Sequence, residues 1–385
     1  MKTLFLQGYG LSVKVKNTRL VFTDGIDIRT GKQNKIELPV SKCNFDKVVI
    51  QGKGFVSTDA LERLAEGNIN VIMLDKRGKL YSYFHQIGGS NDPLIRQKEY
   101  DCFRDEKRLE YLRKWIVSQK IESQIRLFKE LVADPKKYYN SYNKKWQVNN
   151  NQNSSMNYSL KISEEVREKI RRAIGMMEVH CQKLTLANKL REIMKVEADV
   201  GKLYYPTFSL AFRPELEFHS RNSRRTYRPA DATDVINALL NYGFAILYAE
   251  IAKQLNALGL DCFVGFYHKN HESRAPLVYD MIEPFRHLVD RSAFEIQLEI
   301  RKNDYIFSRK GIVVLSDELK SKYISLLSSI CDRKRDYKAR VGIKRADGYQ
   351  RMEEITIMKM KCMELKDYIL TEKSTVVQNA LAPLP

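Results

Sequence analysis

KVVIQGKGFVSTDALERLAEGNINVIMLDKRGKLY, residues 47–81, sets two apolar runs on either side of a capped amphipathic segment. KVVIQ (47–51) and INVIML (69–74) have the length and the β-branched content of buried strands. Between them STDALERLAEG reads as a helix, with Ser57 or Thr58 as N-cap and Gly67 as its stop. Toward the N-terminus, TLFLQ (3–7), LSVKV (11–15), RLVF (19–22) and KIELPV (35–40) are short and alternating, and KLYSYF (79–84) follows. Gly, Asn and Asp turns separate them, so residues 1–90 are expected to form a β-rich N-terminal domain. The GKG of Gly52 and Gly54 lacks the third glycine of a phosphate loop, and no GK[ST] occurs in the chain, so it reads as a turn.

From about residue 93 the period changes. In EKRLEYLRKWIVSQKIESQIRLFKELVAD, Leu109, Leu112, Ile116, Ile121, Ile125 and Leu131 recur at helical spacing. The fold class expected is α+β, with the β-rich domain followed by a larger all-α catalytic domain over 91–385. Residues 134–155 are polar and Asn-rich, which marks an exposed insertion, either inert or offering Tyr, Trp and Lys to DNA. Helices are expected to resume near 163 and to include SDELKSKYISLL (316–327) and EEITIMKMKCMELKDYIL (353–370).

The charge balance narrows the partners. The 385 residues carry 66 Lys and Arg against 47 Asp and Glu, a formal net charge of +19, which points to a phosphate-rich partner. No apolar run is read as approaching the roughly 18 residues a membrane span needs and the N-terminus has no signal-peptide pattern, so the chain is expected to be cytoplasmic without a membrane partner. Its six cysteines lack C-x-x-C spacing and read as reduced core thiols.

Three segments carry candidate chemistry. On the helix REIMKVEADVGKLYY (191–205), Glu197 falls in the apolar arc of Ile193, Val196, Val200, Leu203 and Tyr204. A carboxylate there needs a partner, whether a buried arginine or a metal. In PLVYDMIEPFRHLV (276–289), Asp280 and Glu283 lie side by side three residues apart, with His287 on the same side; taken alone, this is the pattern of a solvated face. GLDCFVGFYHKNH (259–271) places His268 where a strand or buried turn would bring an imidazole beside that helix, and leaves His271 as a loop residue or DNA contact. Oxygen ligands with at most one histidine suit Mg2+ or Mn2+ better than zinc. Between these segments Arg221, Arg224, Arg225 and Arg228 crowd into eight residues with His219 and Tyr227 interleaved. Guanidinium forks of this kind bind phosphate and stack on bases, so this set is the candidate DNA surface. DRKRDYKARVGIKR (332–345) is a second basic stretch, an auxiliary DNA surface or an ordinary charged helix.

The order of these pieces resembles the Cas1 family of CRISPR-associated integrases. KVVIQGKGFVSTDALERLAEGNINVIMLDKRGKLY is similar to that family's N-terminal β segment, EADVGKLYYPTF (197–208) to its glutamate helix and RPADATDVINALLNYGFAILYAEI (228–251) to its central helix. GLDCFVGFYH is similar to its histidine strand and PLVYDMIEPFRHLVDR (276–291) to its acidic helix. The resemblance implies that Glu197, His268 and Glu283 hold Mg2+ or Mn2+, with Asp280 as a neighbouring acid that binds metal or assists. It implies attack of a DNA 3′-OH end on a target phosphodiester, a homodimer or higher homo-oligomer, and the small partner Cas2. Pro276 stands where many relatives have Ser, and His287 where Pro is common. Casposases, transposon integrases with the same motifs, share the resemblance. A non-catalytic DNA-binding scaffold, its acids paired with arginines, is the alternative from another class.

Overall fold

The computed structural model describes residues 3–26, 33–75, 80–84, 93–133, 162–221, 231–268, 275–338 and 349–371. The expected insertion at 134–155 lies outside them.

The N-terminal strands are β1 (Thr3–Lys16), β2 (Arg19–Thr23), β3 (Lys35–Leu38), β4 (Lys47–Val56), β5 (Asn70–Leu74) and β6 (Leu80–Phe84), with helix α1 (Thr58–Glu66) between β4 and β5. They form one sheet in the order β3-β2-β1-β4-β5-β6. β4 runs parallel to both β1 and β5, with β4-α1-β5 a crossover unit, and the other three pairings are antiparallel. Ser57 caps α1 by accepting from the Ala60 amide, and Gly67 ends it, as the sequence predicts. TLFLQ and LSVKV join into the single long strand β1, with an irregularity between Tyr9 and Leu11.

Gly52 and Gly54 are a correction: they lie inside β4, not in a turn. A Cβ on Gly52 would stand 2.0 Å from the Gly8 carbonyl oxygen, and one on Gly54 1.8 Å from that of Leu11. These glycines let β4 and β1 lie against each other.

Period-2 alternation divides the sheet between two cores. Val48 and Ile50 face α1 with Leu11, Phe22, Leu64 and Val71. Val49, with Ile72 and Leu74, faces the helical region and joins its core. On that same face of β4, the Lys47 ammonium meets Glu250 at 3.1 Å and the Tyr242 hydroxyl donates to Gln51 at 3.4 Å.

The helical region comprises α2 (Pro93–Arg104), α3 (Glu106–Val132), α4 (Glu164–Gln182), α5 (Leu190–Ser209), α6 (Val235–Ala257), α7 (Pro276–Ile282), α8 (Arg286–Ile296), α9 (Asp317–Cys331) and α10 (Glu354–Leu370). Two small hairpins accompany them, β7 (Tyr305–Phe307) with β8 (Val313–Leu315) and β9 (Lys334–Lys338) with β10 (Tyr349–Glu353). The architecture is thus a β-sheet region followed by a helix-rich one. α6 corrects the reading of the apolar runs, because it is long and apolar enough to cross a membrane by composition. Here it is the central core helix, buried on nearly every side. The second basic stretch is corrected as well, since its described part forms β9 rather than a helix. There Arg333 pairs with Glu295 and Arg335 with Glu354, both at 2.6 Å, while Arg340, Lys344 and Arg345 lie outside the described residues. The six cysteines are free, four of them buried.

Lys47 and Glu250 are both nearly inaccessible and tie the sheet to α6. Glu250→Ala, which leaves the ammonium buried without its carboxylate, is expected to cost about 3–5 kcal/mol, whereas Lys47→Met with Glu250→Leu should cost far less. Urea denaturation of the single and double variants checks this; equal losses would remove the pair as the tie.

Candidate active site

The site is assembled where α3, α5, α7 and the irregular segment 260–268 meet. Residues 260–268 carry turns and bends and no strand, so of the strand or buried turn expected to deliver His268 it is the turn that is found. Such a segment cannot satisfy its own amides, and its neighbours do so instead. Glu99 of α2 accepts the Asp261 amide at 2.8 Å, and the Tyr100 hydroxyl donates to the Asp261 side chain at 2.8 Å. Arg113 of α3 donates to the Phe266 carbonyl at 3.0 Å. Asp280 of α7 accepts the amides of Phe266, Tyr267 and His268 at 2.7, 3.0 and 2.9 Å.

Asp280 also receives His268 Nδ1 at 2.7 Å. Because a carboxylate accepts, Nδ1 is the donor in this contact, and in the neutral form of the ring the lone pair is on Nε2. That Nε2 faces Glu283 Oε1 at 4.0 Å. Burial pushes the imidazole pKa down, but the bond to Asp280, its charge and those of Glu283 and Glu197 together raise it. With its oxygens held by three amides and an imidazole, Asp280 positions His268, and it is fully buried, not part of a solvated face.

Glu283 lies where Pro284 interrupts the helix. The Glu283–Phe285 turn is 3-10, placed between α7 and α8. Its carboxylate is 2% exposed as a residue yet strongly ionised. Burial alone would raise its pKa, but Arg286, Lys120 and His268 overcome this and hold it at about 2. Arg286 Nε reaches Oε1 at 3.0 Å, and the Lys120 ammonium reaches Oε2 at 2.8 Å.

Glu197, on the half-buried side of α5, has its own cation. Lys120 Nζ stands 2.5 Å from its Oε1, and the Tyr267 hydroxyl donates to its Oε2. Lys120 therefore bridges Glu197 and Glu283, and its pKa stays raised although burial, the largest effect, opposes this. Behind the cluster, Asp290 accepts from the Tyr204 hydroxyl at 2.9 Å, and burial pushes its carboxyl up to about 7.

The structure thus brings Glu197, His268, Glu283 and Asp280 together, with Asp280 behind the imidazole. The donors exposed to a cation, two carboxylates and an imidazole nitrogen steered by a carboxylate, match a hard divalent ion in kind. Among the described residues no three acidic, imidazole or thiol side chains converge as a ready metal cage; the Lys120 ammonium stands between the two glutamates. Lys120, Tyr267 and Arg286 were missed by the sequence reading. Lys120 had a usable signal, since it falls in the same arc of α3 as the buried Ile116, Val117, Gln124 and Leu127.

His287, set beside Asp280 and Glu283 by sequence, points elsewhere. It is buried against Arg126, whose Nη2 lies 3.3 Å from its Nε2, and burial with the nearby Arg126 and Arg335 charges drives its pKa well below the usual value. Of the basic set, Arg221 is held inside: it donates to Asn237 and Asn241 at 2.6 and 2.7 Å and lies over the Phe244 ring, as Arg286 does. A guanidinium engaged in this way is a support rather than a free phosphate fork. His219 is exposed. Arg224, Arg225, Tyr227, Arg228 and His271 lie outside the described residues.

The chain is similar to known proteins over most of its length. The family model described as CRISPR associated protein Cas1 matches residues 4–329. CRISPR-associated endonuclease Cas1 1 of Archaeoglobus fulgidus is 26% identical over 346 residues, 88% of this chain and 90% of the relative. A casposase bound to integration product overlays with a TM-score of 0.78 at 24% identity, covering 97% of this chain and 92% of that one. A chain of a Cas6-RT-Cas1–Cas2 complex overlays with a TM-score of 0.65 at 19% identity, over 95% of this chain and 34% of its own length.

Two variants separate structural from exposed acids. Asp280→Ala strands three amides and should cost about 3 kcal/mol or more, while Glu197→Gln should stay within roughly 1 kcal/mol; chemical denaturation reads both. Glu99, which anchors the start of the His268 segment, has its carboxyl raised from 4.5 to about 8, chiefly by burial. Between those values the folded protein keeps a proton that the unfolded chain releases, so this residue's contribution to stability is present at low pH and lost as pH rises. Glu99→Gln should therefore gain roughly 1–3 kcal/mol relative to the parent between pH 5 and pH 8, and parallel pH profiles would exclude such a role.

Proposed function

Since its family model spans residues 4–329, the chain belongs to the Cas1 family, and we propose that it is a divalent-metal-dependent DNA integrase and endonuclease. The observation that carries this reading is His268, fixed by Asp280 with its Nε2 directed at Glu283 beside Glu197. This is the carboxylate–histidine arrangement that orients a metal-binding imidazole. Glu197, His268 and Glu283 would hold Mg2+ or Mn2+, which when bound polarises a scissile phosphodiester and offsets charge on the attacking and leaving oxygens.

The remaining roles fall to the chain's own side chains. Asp280 keeps the His268 proton on Nδ1, and Tyr267 fixes the Glu197 carboxylate through its hydroxyl. Arg286, braced over Phe244, keeps Glu283 ionised in a dry setting. Arg224, Arg225, Arg228 and Tyr227, with exposed His219, are proposed contacts to DNA phosphates, which set register without reading sequence. The substrates proposed are duplex DNA with free 3′-OH ends and a target DNA, exchanging one phosphodiester for another. Self-association and pairing with Cas2 are proposed from the family and from the overlaid Cas1–Cas2 assembly. A casposase acting in a transposon setting is the alternative proposed with the same chemistry, and the neighbouring genes would distinguish it.

One observation favours a second reading, a non-catalytic DNA-binding scaffold. Lys120 and Arg286 already stand within ion-pair distance of Glu197 and Glu283. A labelled 3′-OH duplex mixed with supercoiled plasmid, with and without Mn2+, decides between the two. Joined product that requires Mn2+ and falls roughly 100-fold or more in Glu197→Ala and His268→Ala, with DNA binding retained, supports the enzyme. No Mn2+-dependent product from the parent protein supports the scaffold. DNA affinity should fall steeply as salt rises, because phosphate contacts release counterions; a flat response would remove the basic surface from the account.

A further inference from the structure

We propose that Lys120 is the internal competitor of the divalent ion: its ammonium and the ion are alternative occupants of the position between Glu197 and Glu283. This rests on the metal-dependent reading above. Lys120 is the one side chain among the described residues seen to touch both carboxylates, at 2.5 Å from Glu197 Oε1 and 2.8 Å from Glu283 Oε2. Those acids come from different elements, α5 and the turn after α7, so the ammonium on α3 is what joins them. Arg286 has a different place. It reaches only Glu283, at Oε1, and its guanidinium is braced over Phe244 at 4.6 Å.

Mg2+ and Mn2+ bind carboxylate oxygens at about 2.1 Å, closer than either lysine contact. Both cations sharing the same two oxygens would stand almost in contact in a setting that water screens poorly. Three carboxylates, Glu197, Asp280 and Glu283, already face the fixed charges of Lys120 and Arg286. A divalent ion added to both would reverse the sign of the cluster, whereas exchange for Lys120 restores balance. The lysine has the means to leave, being a single charge on a four-carbon stem with 18% of its side chain exposed. Released, it remains beside the metal position, where a DNA phosphate would arrive.

A site that must expel its own cation binds an ion more weakly by the fraction of molecules already open. Titration calorimetry of the full-length protein with MnCl2 should therefore show Lys120→Met binding Mn2+ roughly tenfold or more tighter than the parent. Equal or weaker binding by the variant, with the parent still binding, overturns the competitor and leaves the metal site intact. No Mn2+ binding by either protein overturns the metal-dependent reading itself, and this inference with it. A measurement on the parent protein covers a variant that fails to fold. Amine-reactive labelling read by peptide mass spectrometry should show Lys120 becoming more reactive when Mn2+ is added, and unchanged or reduced labelling in a Mn2+-binding protein overturns the exchange.

Discussion

The site depends on one carboxylate that has no water to turn to. Asp280 is fully buried, and an ionised acid in that position must collect donors or give up its charge. It collects the amides of Phe266, Tyr267 and His268 and the proton on the His268 ring. The consequence is geometric as much as energetic. A segment without regular structure acquires a fixed course, and the imidazole at its end acquires one tautomer and one direction.

The surrounding cations explain how so polar a cluster persists in the protein interior. Glu283 remains ionised because Arg286 and Lys120 approach its two oxygens from different sides. Arg286 is itself kept in place by the Phe244 face, which also receives Arg221. The basic segment that begins at Arg221 is thereby linked mechanically to the acidic turn through a single ring of α6. Lys47 and Glu250 extend the connection, since they join the same helix to β4 and so to the N-terminal sheet. The sheet and the site share α6 as their common support.

Much of the fold could be read from periodicity. The alternation of residues 3–15, the apolar run 47–51, the capped helix after Ser57 and the helical spacing of α3 all correspond to observed elements. Gly52 and Gly54 were misread because a glycine pair signals a turn locally, while its reason here is the nearness of β1, whose Gly8 and Leu11 lie far away in the chain. His287 was misread for a related reason. Helical spacing places it beside Glu283, but the 3-10 turn at Pro284 rotates it toward Arg126. Glu197 was correctly recognised as a carboxylate in need of a partner, but the arginine expected there is a lysine, Lys120. Lys120 lies on another helix, and local spacing says nothing about which buried faces meet.

The distribution of charge supplies the final step. The chain as a whole carries an excess of +19, which favours a polyanion at long range. Within the cluster, Glu197, Asp280 and Glu283 reverse that bias over a few ångströms. A DNA backbone drawn in by the general field would meet a local concentration of negative charge, and only a cation can reconcile the two. Lys120 meets that demand in the structure with a single, movable charge on a flexible stem. A divalent ion meets it with twice the charge at shorter range. Under the proposed function, the same arrangement that keeps the acids in place would also let them accept a stronger cation next to phosphate.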